Sequence, residues 1–157
     1  EIYSRALAGR ADQVLATSPS EAETLLRKAI EANPKNIDAH FKLGKIYTRS
    51  KDYALAIDAY QNAVTLNPKL SDAFFNLGFI YATTGMYEDA EKLYTRVVQL
   101  EPKYLDKALF NLAVIQEKLG KKEECLANMQ MAVRIRPDNQ KAQSYLEQLL
   151  SAVEEPR

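Results

Sequence analysis

Residues 71–104, SDAFFNLGFIYATTGMYEDAEKLYTRVVQLEPKY, decide the fold. Phe74, Gly78 and Tyr81 are four and three residues apart, so on a helix they share one face. Gly85 interrupts the apolar run and Pro102 closes it. Two stretches of about fourteen residues remain, each nearly four turns or roughly 21 Å long. The segment therefore reads as a helical hairpin, with a glycine at its bend and a proline ending its second helix.

The same pattern extends in both directions. Pro34, Pro68, Pro102 and Pro137 follow at steps of 34, 34 and 35 residues. Between them Leu43-Gly44, Leu77-Gly78 and Leu112-Ala113 recur, followed by Tyr47, Tyr81 and Gln116, then Ala56, Ala90 and Cys125. Tyr60, Tyr94 and Met129 come next, and then Ala63, Val97 and Ala132. The extra residue of the last unit falls between Pro102 and Leu109. Small residues at the first and third of these positions let two helix axes approach closely, and large rings fill the space between successive hairpins. A lone hairpin cannot bury both of its faces, so the hairpins are expected to stack.

Leu-Gly, Tyr, Ala, an aromatic, Ala and Pro at fixed offsets over 34 residues resemble the tetratricopeptide repeat. The resemblance implies an all-α fold, a right-handed solenoid of stacked hairpins. It divides the chain into a degenerate first hairpin at 1–36, repeats at 37–70, 71–104 and 105–139, a capping helix at 140–153 and a polar tail at 154–157. In the first hairpin Ala22, Leu26, Ala29 and Pro34 match the second half of a repeat, and Ser18-Pro19 suits a helix start. Residues 2–16 are apolar enough for its partner helix, yet carry no Leu-Gly pair at the right offset. In the expected cap, Ala142, Tyr145, Leu146, Leu149, Leu150 and Val153 form an apolar stripe at helical spacing. Lys51 stands where Gly85 and Gly120 stand. A side chain in a left-handed turn costs about 1 to 2 kcal/mol, which favours another geometry there. Lys122 in place of Tyr53 and Tyr87, and Gln116 in place of a tyrosine, make the last repeat the least typical.

Composition narrows the function. Lysine plus arginine equals aspartate plus glutamate at 21 each, so no net field draws the chain to nucleic acid or to an anionic membrane. The longest apolar stretch, around Phe74 to Ala82, is roughly half the length a membrane-spanning helix needs. Cys125 is the single cysteine, which excludes an internal disulfide and leaves the compartment open, with cytoplasm slightly favoured over periplasm. A start at Glu1 rather than methionine suggests a piece of a longer protein.

Nothing in the sequence assembles an active site. His40 is the single histidine and occupies the packing position of Phe74 and Leu109, so it reads as a core residue. There is no second histidine for a metal pair and no glycine-rich phosphate loop, and Cys125 lacks a basic partner in sequence reach. Glu21, Glu23, Glu123 and Glu124 lie near helix starts, and Arg134 and Arg136 near a helix end, where the dipole favours them. The expectation is no enzyme, no cofactor and no metal.

The resemblance also implies a site. In the family the first helix of each hairpin lines a concave groove. The fifth offset holds Phe41, Phe75 and Phe110, and the ninth holds Phe79 and Val114. Exposed aromatics anchor partner side chains with few torsions lost. The sixth offset holds Lys42, Asn76 and Asn111, and a carboxamide donates and accepts at once, as an extended backbone requires. A carboxylate clamp of the co-chaperone type would need matches at Phe41, Lys45, Asn76, Lys107 and Asn111. Only Asn76 and Lys107 match, and Asn111 replaces the arginine whose fork would hold the carboxylate. Lys42, Lys45 and Lys107 still leave mild positive character, compatible with an acidic segment bearing apolar anchors. The resemblance therefore implies an interaction scaffold holding a protein or peptide in its groove. A substrate-recruiting arm of a larger enzyme and a self-assembling, homo-oligomeric module are the rival readings.

Overall fold

The computed structural model describes residues 1–154, with side chains through Ala152; the tail expected at 154–157 lies, from Glu155 on, outside the described residues. These residues form nine helices: α1 (Ile2–Val14), α2 (Pro19–Ala32), α3 (Ile37–Ser50), α4 (Tyr53–Leu66), α5 (Ser71–Thr83), α6 (Tyr87–Gln99), α7 (Leu105–Lys118), α8 (Lys122–Ile135) and α9 (Gln140–Glu154). The fold is an all-α repeat, with no strand among the described residues. Two compact units are distinguished, Glu1–Ala73 and a second from Phe74 onward. No helix of the described residues is long and apolar enough to cross a membrane.

The first unit contains the hairpins α1–α2 and α3–α4. In the second hairpin Gly44 lies against the fully buried Tyr60; a Cβ on that glycine would stand 2.6 Å from the ring. The first hairpin, without a Leu-Gly pair, uses the buried Ala8 and Ala11 of α1 instead. Its docking is completed by buried polar groups. Ser4 donates to the Ala29 carbonyl at 2.6 Å, and the Asn36 amide donates to the Ser4 hydroxyl at 2.8 Å. The Asn36 side-chain oxygen accepts from the Ala39 amide at 3.0 Å, so one residue caps α3 and ties it to α1. Ser18 precedes α2 as expected and Pro19 opens it, but the Ser18 side chain makes no capping bond. His40 is buried, with Nε2 2.9 Å from the Pro34 carbonyl.

In the second unit Gly78 meets Tyr94 as Gly44 meets Tyr60, less tightly, at 3.1 Å for an added Cβ. Buried Ala90, Tyr94, Leu112 and Ile115 join α6 to α7. In the last hairpin both members of the glycine–tyrosine pair have changed: Ala113 and Met129 pack together with Cys125 of α8 and Ala142 of α9. An unbranched methionine accommodates a methyl group where a rigid ring would collide with it.

The turn after α3 corrects the expectation about Lys51. Lys51 adopts φ 64°, beside 80° at Gly85 and 74° at Gly120. The same closing bond follows each: Asp52 N–H to the Tyr47 carbonyl at 2.9 Å, Met86 to Tyr81 at 2.9 Å, and Lys121 to Gln116 at 2.8 Å. These are Schellman closures, and the hairpin geometry that requires them overrides the local cost of a side chain. Ser50 adds a bond at this turn, its hydroxyl donating to Asp52 at 2.5 Å.

The link into the third repeat differs from the two before it. Asn33 and Asn67 each accept at 3.1 Å from the backbone N–H two residues on, an Asx turn that starts the link to the next hairpin. Glu101 takes the equivalent place, and its backbone moves to φ 45°. Just beyond the link Asp106 is buried, with Arg136 Nε 3.1 Å from its Oδ2. This pair gives Arg136 a role in joining α7 to the end of α8.

Candidate interaction site

Each predicted anchor phenylalanine leans on an aromatic ring. Phe41 lies 5.7 Å from Tyr60, Phe75 lies 5.5 Å from Tyr94 and 5.4 Å from Tyr104, and Phe110 lies 5.7 Å from Tyr145. All three phenylalanines are half-buried, so part of each ring is committed to hairpin packing. Their neighbours differ by unit.

In the first unit Lys42 is held by two carboxylates, Asp12 of α1 at 2.7 Å and Asp38 of α3 at 2.5 Å. Burial opposes its charged form, but these two bonds outweigh it and raise the lysine's pKa. Lys45 is exposed, with its ammonium 5.9 Å over the Phe41 ring. Phe41 is therefore flanked by one neutralised cation and one solvated one.

In the second unit a cleft of about 420 Å³ opens on α5, α6, α7 and α9. Four predicted residues line it: Phe79, Phe110, Asn111 and Val114. Phe79 is 45% exposed, a large side chain that the hairpin itself does not use. Asn111 donates to the Tyr94 hydroxyl at 3.3 Å, so its carboxamide is engaged with the cleft floor. Burial pushes the Tyr94 hydroxyl up to about 12, against the opposing effect of the Asn111 bond, and it stays protonated at neutral pH. Phe75 and Asn76 are half-buried and Lys107 exposed, and these three do not line the cleft.

Several lining residues escaped the sequence reading. Tyr87 and Tyr94 come from the second helix of a hairpin, Lys118 from the end of α7, and Lys141 and Tyr145 from α9. Lys118 was the findable one, since it follows Asn111 and Val114 by helical spacing on α7. Lys141 Nζ sits 5.1 Å over the Phe110 ring. Tyr145 donates its hydroxyl to Glu117, and burial, then that carboxylate, raises its pKa. Among the described residues no three His, Cys, Asp or Glu side chains gather as metal ligands.

Comparison with solved structures finds the same fold at low identity. The crystal structure of the MamA protein aligns with a TM-score of 0.85 at 18% identity, covering 95% of this chain and 81% of that one. The pilF protein of Pseudomonas aeruginosa aligns with a TM-score of 0.82 at 20% identity, over 96% of this chain and 68% of its own. YrrB, described as a TPR protein with an unusual peptide-binding site, aligns with a TM-score of 0.77 at 26% identity, over 92% and 74%. No curated protein matches the sequence. Repeat models do match it: a TPR repeat at residues 44–85, and tetratricopeptide repeats at 25–58, 71–104 and 106–139. With those matches running from residue 25 to residue 139 over hairpins that repeat one turn closure and one ring-on-ring contact, the chain belongs to the tetratricopeptide-repeat family.

Proposed function

We propose that this protein is an interaction scaffold whose cleft in the second unit receives a segment of a partner protein. The observation that carries the reading is the lining: a few polar groups among Phe79, Phe110 and Val114, in a volume of about 420 Å³. Ligand sites are commonly concave and mostly apolar, with a small number of placed polar groups, and measure about 300 to 1,000 Å³. The peptide-binding site named for YrrB supports the same use of the fold. Repeats of this family are generally non-catalytic, and His40 and Cys125 are both buried at packing positions.

The test is affinity capture from the source organism with the intact chain beside a Phe79→Ala, Val114→Ala double variant. Phe79 is exposed, and Val114 is half-buried and loses only two methyl groups, so the variant should melt within a few degrees of the parent. The expected result is a set of partners captured by the parent and lost with the variant. Retention of every partner would place binding elsewhere and overturn the reading. Self-association is a second reading, favoured by Ile2 and Tyr3 of α1, which are 87% and 66% exposed. Light scattering decides it: a mass that rises with concentration supports assembly, and a constant monomer rejects it.

A further inference from the structure

The sequence assigns α9 one task, to cover the last hairpin, and part of the helix performs it through Ala142, Leu146 and Leu149. Lys141 does not fit that task. It stands in the first turn of α9, which carries no acidic residue, and a cation there is opposed by the helix dipole. Helix stability therefore gives no reason for it. It is also exposed, so its contribution to the packing beneath is small. Its ammonium lies instead over Phe110 at the edge of the cleft, which Lys118 also lines. Among the described residues neither lysine takes part in an ion pair, whereas Lys42 in the first unit has two carboxylates. The adjacent acid, Glu117, accepts from the Tyr145 hydroxyl. That hydrogen bond leaves the Glu117 carboxylate charged but turned to Tyr145, and the cleft's own lining carries two lysines and no acid.

We propose that α9 is a wall of the binding site as well as a cap, and that the cleft takes a peptide segment with a large apolar side chain and a carboxylate a few residues from it. The inference rests on the function proposed above and names the partner's chemistry. The apolar side chain displaces water from Phe79, Phe110 and Val114. The carboxylate meets Lys141 and Lys118, with the Phe110 ring behind the first ammonium. A cation between a ring face and a carboxylate is attracted by both, and charges at the edge of a dry patch steer association and select against basic partners.

A random peptide library displayed on phage and selected on the intact chain tests this. The expected result is enrichment of sequences pairing a large apolar residue with Asp or Glu within about three positions, the reach of one helical turn or a short extended stretch. A synthetic peptide of that kind, followed by fluorescence anisotropy, should bind about tenfold more weakly to a Lys118→Gln, Lys141→Glu variant, the size that two exposed ion pairs make up. These substitutions are chosen because neither opposes a helix dipole. Binding to a Lys28→Gln control on α2 of the first unit, an exposed lysine outside every candidate site, should be unchanged. Enriched apolar peptides without acids, bound equally by the lysine variant, would overturn the carboxylate inference and leave the scaffold reading standing. Peptides whose binding survives Phe79→Ala with Val114→Ala would overturn both. A selection that enriches nothing would do the same.

Discussion

The two units use the same hairpin and expose different surfaces. In each, a phenylalanine of the first helix rests on a buried tyrosine of the second, Phe41 on Tyr60 and Phe75 on Tyr94, with Gly44 or Gly78 against that same tyrosine. Beyond this shared core they diverge. In the first unit the residue after the phenylalanine is Lys42, whose charge is consumed by Asp12 and Asp38. In the second unit that position holds Asn76 and Asn111; the latter bonds to Tyr94, and the cleft beside it stays apolar with lysines at its edge. Side chains that recur build the hairpin. Those that do not recur decide which charges and which apolar side chains its surface presents.

The largest expected effect tests the shared core. Tyr60→Ala and Tyr94→Ala should each destabilise by about 4 kcal/mol in chemical denaturation, the usual cost of removing a buried ring. Only the second should also disturb binding, since only Tyr94 lines the cleft. Equal binding losses in the two variants would dissolve the distinction between the units.

The next effect separates the two glycines. Gly44→Ala drives a methyl to 2.6 Å from the fully buried Tyr60 ring, whereas Gly78→Ala meets its ring at 3.1 Å. Overpacking of about 1 to 3 kcal/mol is offset by about 1 kcal/mol of helix propensity. Gly44→Ala should therefore lower the melting temperature clearly, and Gly78→Ala should leave it nearly unchanged. The reverse order would show that the second unit is the tighter one.

Lys51→Gly should stabilise by about 1 kcal/mol, because it removes a side chain from a left-handed turn that Gly85 and Gly120 occupy at ease. A loss on denaturant titration would mean that Lys51 is held by something other than turn geometry. Smallest of all, Lys42→Ala should cost no more than about 1 kcal/mol, since its carboxylates are exposed, and should leave peptide binding intact. Weakened binding in that variant would make the first unit part of the site.

The hairpins and their bends were legible, because their signals are local and repeat. Lys51 was the exception, and it shows which constraint ranks higher: the chain must reverse between α3 and α4, and a cost of one or two kcal/mol does not prevent it. The candidate site was legible in part. Phe79, Phe110, Asn111 and Val114 lie at offsets that the family resemblance singled out, and they meet in one cleft. Lys42 was read as part of the groove's mild positive character, and its partner Asp12 stands 30 residues away on a helix without the repeat's pattern. The glycine, alanine, tyrosine and methionine at the close-contact positions were visible in the sequence, but not that Gly44 and Gly78 touch the tyrosines while Ala113 packs with Met129.

From the order of residues alone came the repeat, the family and the faces that must be buried, because periodicity of apolar side chains is a property of the chain itself. Only packing in three dimensions decided which charges neutralise one another and that α9, the expected cap, lends Lys141 and Tyr145 to a cleft. Those outcomes depend on distances between side chains far apart in sequence, and hydrophobic spacing carries no information about them.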